Sequence, residues 1–288
     1  LEPTFGGINL EDISAPRCFE IEERLKEKMS IPVFHDDQHG TAVVVLAGIM
    51  NACRMTGKHP SQLRIVVTGA GAAGVATTKL LLATGVEDIV MVDIQGALNK
   101  HDKDLNWMQR RMAEMTNPDN LRGNLETIIK GRDVFIGVSA PNILSTEMVK
   151  SMANDPMVFA LANPVPEIMP ELAYEAGASI VATGRSDMPN QVNNSLVFPG
   201  VFRGALDTRV RRITDKMKIA AAQAIAELVE DKHLKPDYLI PKSTDFAVPP
   251  AVAEAVARAA IETGEARVHV DPASVAAKVR QFIYEERD

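Results

Sequence analysis

Three glycines and one aspartate have the residue types and the spacing of a dinucleotide-binding turn. Gly69, Gly71 and Gly74 stand at G-x-G-x-x-G spacing directly after the β-branched run 65–67. In such a turn the first glycine permits a sharp bend, the second lets a diphosphate approach the backbone, and the third lets the helix pack on the strand. Free N–H groups at the start of the helix bind the phosphate oxygens. Asp93, about 20 positions later, can accept hydrogen bonds from a ribose hydroxyl.

These residues predict that the chain binds NAD or NADP. The predicted cofactor contacts are Gly69, Ala70, Gly71, Ala72, Ala73, Gly74 and Asp93. Asp93 favours NAD, because its carboxylate repels a 2′-phosphate. Gln95, Asn99, Lys100 and Lys103 follow closely, and a lysine there could pair with such a phosphate. The choice between the two cofactors therefore stays open.

Two pairs of adjacent acids precede the glycine turn, Glu11-Asp12 and Asp36-Asp37. Neighbouring side chains point apart on a helix or a strand, so their convergence needs irregular backbone, which Gly6-Gly7 and Pro32 make available. Carboxylates that meet in one cleft repel each other unless a cation neutralises them, and oxygen ligands suit Mg²⁺ or Mn²⁺. On spacing alone, solvated surface acids are the commoner interpretation and a metal site is the alternative.

The histidines and cysteines indicate structural roles. His35 and His39 are four positions apart, as in a zinc-binding helix, but they flank the Asp pair just before a helix predicted to begin at about Gly40. Cys18 and Cys53 have neither the pairing of a disulfide framework nor the spacing of a zinc site. We expect both cysteines to be reduced and packed in apolar surroundings.

The elements that must position these residues alternate between strands and helices. Short β-branched runs predict strands over 63–68, 88–93, 133–137, 157–161 and 179–182, separated by helices over 40–56, 72–84, 101–114, 145–152 and 170–176. Beyond Phe198 only helices are predicted, over about 214–230, 249–263 and 272–286. This pattern predicts an α/β fold: a Rossmann-type, doubly wound, mostly parallel sheet, with flanking helical segments that belong to a second domain.

Composition excludes several classes of protein. The 288 residues are 46% hydrophobic and 24% charged, with a net charge of −7. An acidic chain without a basic stripe is not a binder of nucleic acid, and no apolar run reaches the roughly 20 residues of a membrane helix. The cytoplasm is the expected compartment. Because the chain opens at Leu1 and carries no signal peptide, we interpret it as part of a longer polypeptide.

Four stretches together resemble malic enzymes of the bacterial type. They are FGGINLED at 5–12, IPVFHDDQHGTA at 31–42, FALANP at 159–164 and QVNNSLVFPG at 191–200, and the resemblance spans essentially the whole chain. It implies that Glu11, Asp12 and Asp37 ligate a divalent metal and that Asp36 positions the catalytic lysine. It also implies that Asn163 and Asn193 contact the substrate malate and the nicotinamide end of the cofactor.

The implied reaction is the oxidative decarboxylation of (S)-malate to pyruvate and CO₂, with reduction of NAD or NADP and the help of Mg²⁺ or Mn²⁺. The resemblance further implies a homo-oligomer. It divides the chain into a remnant of the N-terminal substrate and metal domain (1–35), a dinucleotide-binding domain (36–193) and a C-terminal helical region (194–288). The family's general base, a lysine, and its general acid, a tyrosine, lie upstream of Leu1, so we expect this chain alone to turn over malate poorly or not at all.

Two other functions are compatible with a glycine turn on a parallel sheet. A dinucleotide-binding regulatory module would need no catalytic lysine or tyrosine, but it would have no use for the acids at 11, 12 and 37. An amino-acid dehydrogenase would need a substrate-binding lysine that the sequence does not place, and it would leave the paired acids unexplained.

Overall fold

The computed structural model describes residues 1–2 and 4–285 and contains two sheets. The strands are β1 (Ile8–Leu10), β2 (Val33–His35), β3 (Arg64–Thr68), β4 (Asp88–Asp93), β5 (Gly96–Ala97), β6 (Val134–Gly137), β7 (Met157–Ala160) and β8 (Ile180–Thr183). The helices are α1 (Arg17–Lys28), α2 (Asp36–Thr56), α3 (Ala72–Ala83), α4 (Trp107–Met115), α5 (Leu125–Ile128), α6 (Thr146–Lys150), α7 (Pro170–Glu175), α8 (Phe198–Asp207), α9 (Asp215–Glu227), α10 (Val248–Glu262) and α11 (Pro272–Glu285).

The main sheet has the strand order β5-β4-β3-β6-β7-β8. Every neighbouring pair is parallel except β4 and β5, which form a short antiparallel edge. The chain passes from β3 to β4 on one side and later returns to β6 on the other side of β3. Such a reversal opens a crevice at the carboxyl ends of the strands, where α/β sheets bind ligands. The five predicted strands all form, and the predicted Rossmann-type fold class is confirmed.

Helix α2 begins earlier than the sequence indicated. We expected it to start at about Gly40, but its first residue is Asp36, with His35 as the N-cap. Asp36 and Asp37 therefore lie in the first helical turn, where carboxylates are favoured by the positive end of the helix dipole. Its end is as predicted, because Gly57 adopts the left-handed conformation (φ 70°) that closes the helix.

Several other boundaries differ from the prediction. Helix α4 begins at Trp107 and not at 101, because Asn106 caps it and forms a reciprocal capping box with Gln109. The pair β1–β2, which aligns Leu10 with His35, and the helices α1 and α8 were not predicted. Helix α11 begins as predicted, and the last residue of the predicted range, 286, lies outside the described residues.

One apolar core joins the N-terminal residues, the sheet and the C-terminal helices. Phe34 in β2, Ile65 in β3 and Val252 in α10 all belong to the same buried cluster. The proposed division at 35/36 and 193/194 thus stays a prediction. Cys18 and Cys53 are both buried free thiols, as expected, and burial raises the pKa of Cys53 to about 11. Within the described residues, the helices are all too short or too polar to cross a bilayer.

Candidate functional site

The glycine turn joins β3 to α3 at the centre of the main sheet. Gly69 has a φ of 98°, a conformation that favours glycine, and its N–H donates to the carbonyl of Val92 on the neighbouring strand. A Cβ on Gly74 would lie 1.9 Å from the carbonyl oxygen of Gly69. Two of the three glycines are therefore required by the packing of the turn itself.

Gly71 has a different role in the turn. It is the N-cap of α3, and apart from Gly71 itself and its two neighbours in the chain, no described residue has an atom within 4 Å of the position that its Cβ would take. The protein itself leaves this space free, which is the arrangement that lets a diphosphate approach the backbone. Ala72 and Ala73 open α3, so their N–H groups point toward the same space.

Asp93 ends β4, the strand next to β3, as the dinucleotide pattern requires. Its Oδ1 accepts the N–H of Ile94 at 2.8 Å, and its Oδ2 accepts a hydrogen bond from Nε2 of Gln109 at 2.7 Å. Sequence reasoning missed Gln109, which would compete with a ribose hydroxyl for this oxygen. The sequence feature that could have indicated Gln109 is the spacing of Asn106 and Gln109, which are three positions apart as in a helix capping box.

The polar residues that follow Asp93 differ in their exposure to solvent. Asn99 is buried, and its side chain donates to the carbonyl of Asn120 and accepts the N–H of His101, so its role is structural. Lys100 and Lys103 are exposed, which leaves either of them available to a charged ligand.

The acidic pairs meet through a turn of irregular backbone. Asp12 has a φ of 57°, and its N–H donates to Oδ2 of Asp37 at 2.9 Å. The pairing of β1 with β2 aligns Leu10 with His35, so that Glu11 and Asp12 follow one strand where Asp36 and Asp37 follow the other. The irregular backbone expected near the first pair is present, while the second pair lies in a regular helical turn.

Asp36 is the buried member of this cluster. Its Oδ2 accepts a hydrogen bond from Nδ2 of Asn194 at 2.8 Å, whereas Oδ1 is buried and has no donor among the residues that the structure describes. Burial, together with the nearby Glu11 and Asp37 carboxylates, raises the pKa of Asp36 to about 6. Gly40 is tightly packed here, since a Cβ on it would lie 2.4 Å from Oδ1 of Asp36.

The side chains of this cluster carry the oxygen ligands that a hard cation prefers, but they are not arranged around a common point where a cation could bind. Carboxylate oxygens are the ligands that Mg²⁺ and Mn²⁺ prefer, and an uncompensated buried oxygen on Asp36 adds to the negative potential. In the part of the chain described, no three His, Cys, Asp or Glu side chains are arranged to hold a metal ion. The zinc interpretation of His35 and His39 gains no support, because His39 bonds through Nε2 to Glu22 at 2.8 Å.

The two asparagines expected to contact substrate lie at the carboxyl edge of the sheet. Asn163 follows β7 and packs on Gly184, which follows β8. Asn193 caps a short 3₁₀ turn and accepts the N–H of Ser195 through Oδ1 at 2.9 Å. The neighbouring Asn194, which sequence reasoning missed, is the residue that reaches Asp36.

Glu167 is a further residue that the sequence did not single out. It is fully buried, and its two carboxylate oxygens accept the N–H groups of Ser139 and Ala162, each at 3.0 Å. Ser139 lies in the loop after β6, next to the glycine turn, and Ala162 directly precedes Asn163. Burial raises the pKa of Glu167, and the two N–H groups oppose that effect. One side chain thus sets the positions of two loops of the crevice.

Glu167→Gln is expected to lower the free energy of unfolding by about 1–3 kcal/mol. Glutamine keeps one acceptor oxygen but replaces the other with an amide nitrogen that cannot accept, so one of the two buried N–H groups loses its partner. Urea denaturation measures this loss, and NADH titration should show weaker cofactor binding. Glu175→Gln, on the exposed side of α7, is the matched control and should leave both unchanged. Unaltered stability of the Glu167 variant would contradict its role as the tie between the two loops.

Comparison with known proteins identifies relatives over the whole chain. Residues 38–261 match the family model described as malic enzyme, NAD binding domain. The chain is 58% identical to the bifunctional malic/malolactic enzyme of Bacillus subtilis over 283 residues, which cover 98% of this chain and 69% of that protein. It is also 58% identical to the NAD-dependent malic enzyme of Geobacillus stearothermophilus, with 93% of this chain and 56% of that protein covered.

A solved structure agrees with these relatives. The crystal structure of malic enzyme from Pyrococcus horikoshii superposes with a TM-score of 0.94 at 46% identity, covering 99% of this chain and 68% of that chain. The present chain therefore spans 56–69% of the length of these three relatives.

Proposed function

Because the chain belongs to the malic enzyme family, we propose that it is the cofactor-binding part of an enzyme that converts (S)-malate to pyruvate and CO₂. NAD or NADP is the oxidant, and Asp93 favours NAD. The expected setting is a homo-oligomer in the cytoplasm. The division into segments 1–35, 36–193 and 194–288 belongs to the same proposal.

One contact carries this proposal, the hydrogen bond from Asn194 to Asp36. Thr183, the last residue of β8, forms an isolated parallel β-bridge with Gln191, and Asn194 lies three residues beyond Gln191. The contact therefore ties the acidic cluster to the carboxyl edge of the sheet, where the glycine turn also lies. A substrate between the acids and the turn would be next to a bound nicotinamide, and such proximity is what hydride transfer needs.

The acids have distinct parts in the proposed site. Glu11, Asp12 and Asp37 would hold Mg²⁺ or Mn²⁺, and the contact between the Asp12 N–H and Asp37 keeps two of them adjacent. When bound, the cation supplies Lewis-acid polarisation of the hydroxyl and carboxylate oxygens of malate. Asp36 would orient the general base through its free Oδ1, and Asn194 holds this carboxylate in place.

Asn163 and Asn193 would orient the substrate and the nicotinamide. Asn163 is exposed at the crevice and its amide packs on Gly184, so its position is set by the loop that follows β8. The Oδ1 of Asn193 is already engaged by the Ser195 N–H, which leaves its amide NH₂ as the group that can donate to a carboxylate or an amide oxygen.

The rival function, a cofactor-binding module without chemistry, predicts a different response to malate. We expect the chain to bind NADH, and to bind malate only when Mn²⁺ is present. Calorimetric titration with and without Mn²⁺ measures this dependence. If malate does not bind, or binds equally well with and without Mn²⁺, the non-catalytic module is favoured over the enzyme.

Turnover by the 288-residue chain is expected to be at least about 100-fold slower than that of the Bacillus subtilis relative assayed beside it, because the general acid and base of the family have no counterpart in this sequence. Formation of NADH from NAD and (S)-malate, followed at 340 nm, measures the difference. Vigorous malate-dependent formation of NADH would contradict the assignment of both groups to a segment outside this sequence.

A further inference from the structure

A cavity of about 550 Å³ lies apart from the glycine turn. It is bounded by α1, α4, α9, the first two turns of α2 and residues 76–83 of α3. On α3 its lining begins at Ala76 and includes Lys79, which lies seven residues beyond the start of the helix, or about 10 Å along its axis. A ligand in this cavity would therefore not occupy the space at Gly71 that is open to a dinucleotide.

The cavity contains more positive than negative side chains. Its cations are Lys26, Lys79, Arg111 and Lys218, and its carboxylates are Glu22, Glu23 and Asp215. Three of the cations pair within it: Lys26 with Glu22 at 2.7 Å, Lys218 with Asp215 at 2.9 Å and Arg111 with Glu23 at 3.1 Å. Each carboxylate is thus already engaged by a cation, and one positive charge is in excess.

Lys79 is the cation in excess. Among residues 1–2 and 4–285 no carboxylate lies within ion-pair distance of its ammonium group, which is 6.0 Å from the centre of the Phe19 ring. Burial, together with the nearby Arg111, lowers the pKa of Lys79. A partly buried ammonium without a counterion is a group that an anion would stabilise.

Gln38 supplies a second, independent observation. Its side chain is 3% exposed and lines the same cavity, and its Nε2 has no acceptor among the described residues. A buried amide donor without a partner is unfavourable, so an acceptor atom placed in the cavity would be bound by it. Gln38 directly follows Asp37, so that such a ligand would contact the turn of α2 that carries the acidic cluster.

We propose that this cavity binds phosphate or a small phosphate monoester. Lysine ammonium groups bind phosphate as point charges, and three of the four cations here are lysines. The Gln38 amide would donate to a phosphate oxygen, and Phe19, Leu80 and Met115 would face the organic part of an ester. Neither the glycine turn nor the acids of the proposed reaction use this site.

Isothermal titration of the 288-residue chain with inorganic phosphate tests the site. NADH is kept at saturation so that phosphate cannot bind at the glycine turn, and sodium chloride holds the ionic strength constant. We expect saturable binding that Lys79→Met weakens at least about tenfold, as for the loss of a hydrogen bond to a charged group. Lys130→Met removes the same charge at an exposed position after α5 and should leave the affinity unchanged.

A second variant keeps the test decisive if Lys79→Met does not fold, as judged by circular dichroism. Gln38→Leu removes the buried donor with little change in volume and should also weaken phosphate binding. Absence of saturable binding to the unaltered chain would overturn the proposal, as would equal affinity in the folded variants. Tighter binding of malonate than of phosphate would overturn the assigned class of ligand.

Discussion

Gly74→Ala is expected to lower the free energy of unfolding by about 3 kcal/mol or more, at the upper end of the range for overpacked sites. The Cβ would lie 1.9 Å from the Gly69 carbonyl oxygen and 3.2 Å from Cγ2 of Val138, and the first of these neighbours is backbone that cannot rotate away. Relief requires α3 to move off β3, which would also take its N–H groups away from the proposed diphosphate site. Urea denaturation and NADH titration should therefore both report the change.

Gly71→Ala is the matched comparison, because it adds the same methyl group to the same turn. Beyond the two neighbouring residues in the chain, its Cβ meets no described atom within 4 Å, so the free energy of unfolding should change by no more than about 1 kcal/mol, the usual cost at an N-cap. NADH affinity should nevertheless fall at least about tenfold, because the methyl group occupies the approach of the diphosphate. Equal NADH binding by the Gly71 variant and the unaltered chain would contradict the proposed location of the cofactor.

The glycine turn is a part of the structure that the sequence could predict. G-x-G-x-x-G spacing after a β-branched run, with an acid at the end of the next strand, specifies a local unit whose constraints are all short-range. The same holds for the five parallel strands, whose runs of Val and Ile are typical of strands buried on both faces. Fold class was therefore predictable from pattern alone, and so was the glycine turn between β3 and α3, whereas its contacts with a cofactor stay a prediction.

Contacts between distant segments were not predictable in this way. The pairing of β1 with β2 aligns Leu10 with His35 across a helix, and neither three-residue strand has a periodicity that could be read. The start of α2 was misplaced because Gly40 was interpreted as a boundary. In the structure Gly40 is inside the helix, where the absence of a side chain lets Asp36 and Asn194 approach it.

The roles of Asn194 and Glu167 have the same long-range origin. Asn194 lies 158 positions from Asp36, and the choice between Asn193 and Asn194 depends on the 3₁₀ turn that Asn193 caps. Glu167 accepts N–H groups from two loops, one of them 28 positions away. A buried carboxylate that organises backbone has no signature in residue type or spacing, and only the packed structure identifies it.

Affinity for Mn²⁺ is expected to fall at least about 100-fold on Asp37→Asn, since even changes to residues that merely orient metal ligands cost about 10–100-fold. The asparagine retains a carbonyl oxygen that can accept the Asp12 N–H, so the turn at residue 12 should keep its conformation while the site loses one negative charge. Glu11→Gln should weaken binding in the same direction. Electron paramagnetic resonance of free Mn²⁺ measures both affinities.

Asp119→Asn is the control for this loss of charge. Asp119 is exposed in the turn beyond Asn117, whose N–H bonds to Ile89 near the amino end of β4, on the side of the sheet away from the crevice. Its replacement should leave Mn²⁺ binding unchanged. The acids are not assembled as a ligand set in the described structure, so the proposed cation would have to draw Glu11 and Asp37 together on binding. If Mn²⁺ affinity is unchanged in both the Asp37 and the Glu11 variants, these acids are a solvated surface and the metal belongs elsewhere.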